Sequence, residues 1–164
     1  MKHIRRILHP SDFSRASGAA FARAVEMART NRAELLVLHV LSPVVPMIGD
    51  GYVSPQLYEQ IESSARAEAQ RQLDRLLARA KKAGIRTKGL FANGAPHEQI
   101  TRLARSKRAD LVVIGTHGRT GLAKFFLGSV ASRVISTATC PVLTVKTPFP
   151  EAAPQPQRAA AAPA

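Results

Sequence analysis

The chain has one cysteine, no tryptophan, few aromatic residues and fewer than half as many acidic as basic side chains. One thiol, Cys140, leaves no internal disulfide and no paired-cysteine metal site, which fits a reducing compartment. Aromatic residues make up 5% of the chain and do not interleave with the basic ones. A stacking platform for single-stranded nucleic acid is therefore not expected. No segment approaches the ~18 consecutive apolar residues of a membrane span. The opening "MKHIRRILHPSDFS" is basic, yet its apolar stretch is too short for a secretory signal, so a cytoplasmic protein is expected. His3, His9, His39, His97 and His117 do not fall at metal-ligand spacing, and no local Ser-His-Asp or Cys-His motif suggests a nucleophile. His39 is expected to pack at a strand end, and Cys140 to be an inert thiol in an apolar setting.

What is present begins with charge. Lys and Arg number 24 against 11 Asp and Glu, a net charge of +13. From Thr147 onward only Glu151 and Arg158 are charged, and they cancel, so the excess lies on residues 1–146. A basic surface attracts polyanions. A solvated arginine-rich surface is the favoured reading, and nucleic acid is not the expected partner.

Five short apolar runs recur: Ile4–His9, Glu34–Val40, Ile85–Ala92, Asp110–Gly115 and Pro141–Lys146. Several are continuous rather than alternating, as in strands covered on both faces of a parallel sheet. Helical stripes fill the gaps. Phe21, Ala24, Val25 and Ala28 form the first, and Ile100, Leu103 and Ala104 the third. Val130, Val134 and Ala138 form the last. The second is long, running from Leu57 through Ile61, Ala65, Ala69 and Leu73 to Ala80, with Gly84 as its stop. Strand alternating with helix predicts right-handed βαβ units and a single open, doubly wound α/β parallel sheet with helices on both faces. Ligands in such folds bind beyond the carboxyl ends of the strands, where strand order reverses. The prolines and glycines of Leu41–Gln56 predict a long connection. Residues 147–164, rich in Pro and Ala, are expected to be a disordered tail to a domain of residues 1–146.

The segment after the fourth run carries Gly115, Gly118, Gly121 and the pair Gly128-Ser129. It is not a P-loop, because no Gly-Lys-Ser/Thr follows, and its spacing is not the dinucleotide fingerprint G-x-G-x-x-G. The pattern is G-x2-G-x9-G-S, placed after a buried strand and before a helix. Glycines let a ligand approach the main chain, and successive amides can converge on an anion. Ser129 is a good N-cap residue, and the helix starting there would aim amides and partial positive charge at the same point. Arg119 and Lys124 add side-chain cations. Together these make a phosphate cradle. Phe125-Phe126-Leu127 would anchor the loop rather than gate it.

Asp12, in "HPSDFS", falls at the carboxyl end of the first strand. Its carboxylate can accept hydrogen bonds from a ribose or an adenine amine. Equally, Ser11, Asp12 or Ser14 can cap the first helix, and both readings stand. His39-Val40 ends the second strand at the same edge, with backbone groups suited to an adenine edge.

The segments "ILHPSDFSRAS", "LLVLHV", "NGAPHEQI" and "DLVVIGTHGRTGLAKFFLGSVASRVISTATCPVLTVK" resemble the universal stress proteins from about Lys2 to Lys146. The resemblance implies a Rossmann-like five-stranded sheet of order 3-2-1-4-5, the ATP-binding branch of that family, and a homodimer through the last strand, Pro141–Lys146. It implies Asp12 near adenine and ribose, the Val40 backbone at adenine, and Gly115 by the ribose. Gly118, Gly128, Ser129 and Val130 match the phosphate-binding positions, with His117 and Arg119 in the signature loop. ATP is the implied cofactor, with Mg²⁺ as its companion. The function implied is regulation of an unknown partner by nucleotide-dependent switching. The alternatives are a slow ATP hydrolase, for which no general base is evident, and a basic nucleic-acid-binding module.

Overall fold

The computed structural model describes residues 3–41, 54–116 and 128–146. The signature-loop residues His117, Gly118, Arg119 and Lys124, the Phe125-Phe126-Leu127 anchor, most of the Leu41–Gln56 connection and the 147–164 tail lie outside the described residues.

All five apolar runs are strands: β1 (Arg6–Pro10), β2 (Glu34–Leu41), β3 (Thr87–Asn93), β4 (Leu111–Gly115) and β5 (Val142–Val145). They alternate with α1 (Arg15–Asn31), α2 (Pro55–Lys82), α3 (Pro96–Ser106) and α4 (Ser129–Thr137). The strands form one parallel sheet in the order β3-β2-β1-β4-β5. Ile7 sits in the centre, in register with Leu35 on one side and Leu111 on the other.

Two apolar layers sandwich the sheet. Ile7, Leu35, Val37 and Val113 face Phe21 and Ala24 of α1 and Leu73 of α2. Leu8, Leu36, Leu38 and Val112 face Ile100 of α3 and Val134 of α4. Covering both faces explains why the central runs are continuous in the sequence.

The long stripe on α2 departs from the expectation of a core-facing helix. Ala69, Leu73 and Ala80 are buried, but Leu57 and Ile61 are 47% and 43% exposed. Length is the reason. The 28 residues of α2 rise about 42 Å, whereas the eight of β2 span about 26 Å. The first half of α2 therefore stands beyond the sheet, at its carboxyl edge.

Candidate functional site

Strand order reverses between β1 and β4. Their carboxyl ends part there, and a cleft of about 730 Å³ opens, within the size range of small-molecule sites. Six of the residues assigned to a nucleotide site from the sequence line it: Asp12, Val40, Gly115, Gly128, Ser129 and Val130.

The turn after β1 builds one wall. Ser11 donates its amide to the Leu38 carbonyl at 2.8 Å. Its buried hydroxyl meets that of Ser17 at 2.9 Å and accepts from the Phe13 amide at 3.2 Å. Ser14 caps α1 by accepting from the Ser17 amide. Asp12 Oδ1 accepts from the Ser14 amide at 3.0 Å, an Asx turn that places its carboxyl at the cleft. The two readings of Asp12 are thus compatible: Ser14 is the cap, and Asp12 both supports the turn and lines the cleft.

Gly115 is fixed by a close approach. A Cβ there would lie 3.0 Å from the Ala16 carbonyl oxygen and 3.1 Å from its carbon. Only glycine lets the first turn of α1 rest on the end of β4.

Thr116 and Gly128 meet beside the end of β5. Gly128 donates its amide to the Thr116 carbonyl at 2.7 Å, and Thr116 donates to Val145 at 3.0 Å. Thr116 is thereby tied to the end of β5, and Gly128 to Thr116. This bond also corrects the expected cap. Gly128, not Ser129, is the N-cap of α4, and no side chain caps it. With the chain held at Gly128, the helix begins at Ser129, whose side chain cannot cap its own helix from the first helical position. The amides of Ser129, Val130 and Ala131 form the first turn, beyond the reach of intrahelical carbonyls, and all three residues line the cleft.

His39 is buried, as expected of a packing residue, and it also forms cleft wall. Its Nδ1–H donates to the Ser11 carbonyl at 2.7 Å. Its ring stacks on Phe13, with centroids 4.4 Å apart, and meets the edge of Phe91 at 5.9 Å. Phe13 adopts φ 64°, a left-handed conformation unusual for an aromatic residue, to reach that stack.

The sequence reading missed the far walls. Ala65, Glu68, Ala69 and Gln72 of α2 line the cleft, as do Pro96 and Ile100 of α3. The helical stripe containing Ala65 and Ala69 was visible, but nothing local showed that α2 overshoots the sheet. Hydrogen bonds from Arg71 and then Gln72 hold the Glu68 carboxyl below its usual range. Cys140 is half-buried, and burial, followed by the charge of Asp110, pushes its thiol up. Among the described residues no three His, Cys, Asp or Glu side chains converge as a metal site, and no helix is long and apolar enough to cross a membrane.

The sequence profile of the universal stress protein family matches residues 3–146. Universal stress protein MJ0531 of Methanocaldococcus jannaschii is 36% identical over 149 residues, covering 90% of this chain and 85% of its own. The solved structure of MJ0577, from the same organism, superposes with a TM-score of 0.79 at 25% identity, over 91% of this chain and all of that one. A universal stress protein solved in complex with cAMP superposes with a TM-score of 0.67 at 25% identity, over 88% of this chain and 98% of that one. The sheet order and these matches agree, and the chain belongs to the universal stress protein family.

Proposed function

We propose that the cleft binds an adenine nucleotide, ATP foremost, and that the protein is a nucleotide-dependent regulator rather than an enzyme. The observation that carries this reading is the Thr116–Gly128 hydrogen bond, which presents the first-turn amides of α4 at the rim of the cleft. Such amides favour a phosphate. Asp12 and the end of β2 at Val40 would take the ribose and adenine, with Gly115 beside the ribose. His117, Gly118 and Arg119 would close over the phosphates. The cAMP complex of a similar protein supports an adenine nucleotide as the ligand class. Asp12 and Glu68 are both engaged by neighbours within the chain, so Mg²⁺ accompanying ATP would be held chiefly by phosphates and water.

Residues 1–146 would form the binding unit, working in the cytoplasm. Regulation would follow from population shift: bound nucleotide favours one arrangement of the 115–130 segment and changes what a partner meets. The outer edge of β5 would pair with a second copy of the chain. Its four residues are only half-buried, and Ile135 of α4 is 45% exposed, leaving apolar strand edge for such a partner.

Native mass spectrometry of freshly purified protein tests this reading. The expected spectrum is a dimer carrying one adenine nucleotide per chain, with no ADP released from added ATP over hours. Steady ADP release abolished by Asp12→Ala would instead establish the hydrolase. A nucleotide-free monomer that stays empty with ATP would refute both.

A further inference from the structure

The positive charge of this protein is not spread evenly. Because every strand is parallel, the strand starts and the ends of α1, α2 and α3 meet at the edge opposite the cleft. There α1 closes at Arg32, α2 at Lys81 and Lys82, and α3 at Lys107 and Arg108. Arg5 leads into β1, and Arg86 into β3; all these side chains are exposed. The acidic residues at these strand starts are turned to internal work. Glu34 pairs with Arg6 at 3.3 Å. Asp110 Oδ2 accepts the backbone amides of Arg5 and Arg6 at 2.9 and 3.0 Å. A basic residue in the last turn complements a helix dipole, but this edge carries several more than three helices require.

The backbone adds an independent observation. The three helices end in the same Schellman closure: Ala33 to Ala28 at 2.9 Å, Ile85 to Ala80 at 3.0 Å and Ala109 to Ala104 at 2.8 Å. The residue before each closing amide is left-handed, and these are Arg32 (φ 52°), Gly84 (φ 75°) and Arg108 (φ 51°). Glycine adopts this conformation freely, whereas a side chain there costs roughly 1 kcal/mol. Two of the three positions thus hold an arginine against the local preference, and both arginines point a cation outward at the same edge. The two left-handed arginines thus place exposed cations where glycine would place none.

We infer that this edge docks on the phosphate backbone of duplex nucleic acid, without reading its sequence. Charge complementarity selects a polyanion. Five strands about 4.8 Å apart make the edge roughly 19 Å wide, enough to reach phosphates on both sides of a groove about 12 Å wide. Among the described residues the exposed large apolar side chains are Leu57, Ile61 and Ile135, and of these only Ile135, in the last turn of α4, lies towards this edge, so it offers a bilayer a single apolar contact among many charges. The sequence favoured a solvated arginine-rich surface, and its few aromatic residues argue only against stacking on single strands, which a duplex backbone does not need.

The test is fluorescence anisotropy of two unrelated ~20-base-pair DNA duplexes with the full chain, from about 50 to about 200 mM salt. A matching titration uses Arg32→Gly/Arg108→Gly, and a third uses vesicles rich in anionic lipid. Both duplexes should bind alike, with log affinity falling linearly with log salt. The double variant should flatten that slope by about 2, since each lost phosphate contact removes ~0.9. Its urea midpoint should rise, because glycine relieves both left-handed positions, and this separates lost binding from lost folding. No binding at low salt, an unchanged slope, displacement of the duplex by a few equivalents of ATP, or tighter binding to the vesicles would each overturn the proposal.

Discussion

The Nδ1–H of His9 donates a 2.9 Å hydrogen bond to the Val113 carbonyl, tying β1 to β4 where the strand order reverses. The ladder between these strands holds only the pairs Ile7–Leu111 and Leu8–Val112. The histidine side chain extends that connection towards the cleft. Its ring is fully buried against Phe21, and Nε2 has no partner among the described residues.

Acid stability follows from this placement. Burial pushes the His9 pKa from 6.5 down to about 4, against the smaller opposing pulls of the Val113 bond and the Asp12 charge. Between those values the unfolded chain binds a proton that the folded chain excludes. The stabilisation is complete above pH 6.5 and is lost as pH falls towards 4, a change of roughly 3 kcal/mol. Urea unfolding from pH 7 to pH 4.5 should show this slope, and His9→Gln should flatten it. An equal slope in that variant would contradict the assignment.

Gly115→Ala should be costly. The added methyl meets backbone of Ala16 at 3.0 Å, which cannot rotate away. A loss of about 1–3 kcal/mol is expected in urea unfolding, with weaker nucleotide binding as α1 shifts off β4.

Gly89→Ala tests the opposite case at similar distances. Its Cβ would lie 2.9 Å from Leu77 Cδ1 and 3.0 Å from Leu73 Cδ2, the ends of flexible side chains that can give. Alanine also narrows the unfolded ensemble. The change should stay within about 1 kcal/mol and leave nucleotide affinity untouched.

Cys140 should alkylate slowly. Its thiol is half-buried and raised mainly by burial, so at pH 8 iodoacetamide should label it more slowly than the same chain unfolded in urea. Equal rates would show a thiol more open than the structure has it.

The sequence made the sheet legible because burial on both faces writes unbroken Val, Ile and Leu runs. All five runs are strands, and the glycine spacing located Gly115 and Gly128 beside one cleft. Other features need three dimensions. The cap of α4 shifted from Ser129 to Gly128 because of a tertiary bond to Thr116. The α2 wall at Ala65 and Gln72 depends on how far that helix overshoots β2. The Phe13–His39 stack joins residues 26 positions apart through a left-handed turn. Arg32 and Arg108 were invisible as helix ends because glycine is the usual signal there, and only Gly84 obeys it.

Asp12→Ala removes both the Asx-turn acceptor and the cleft carboxyl. It should destabilise the chain by about 1 kcal/mol and weaken ATP binding by roughly tenfold, or ~1.4 kcal/mol. Asp12→Asn keeps an acceptor oxygen for the turn, so it should restore the stability while leaving much of the affinity loss.

Isothermal titration calorimetry of the full chain with ATP bears most directly on the cleft. The expected result is one site per chain, with cAMP and AMP competing for it and Gly128→Pro abolishing the heat, because proline removes the amide that pins Thr116. Saturating ATP that yields no heat, or heat unchanged in Gly128→Pro, would contradict a phosphate site at the start of α4.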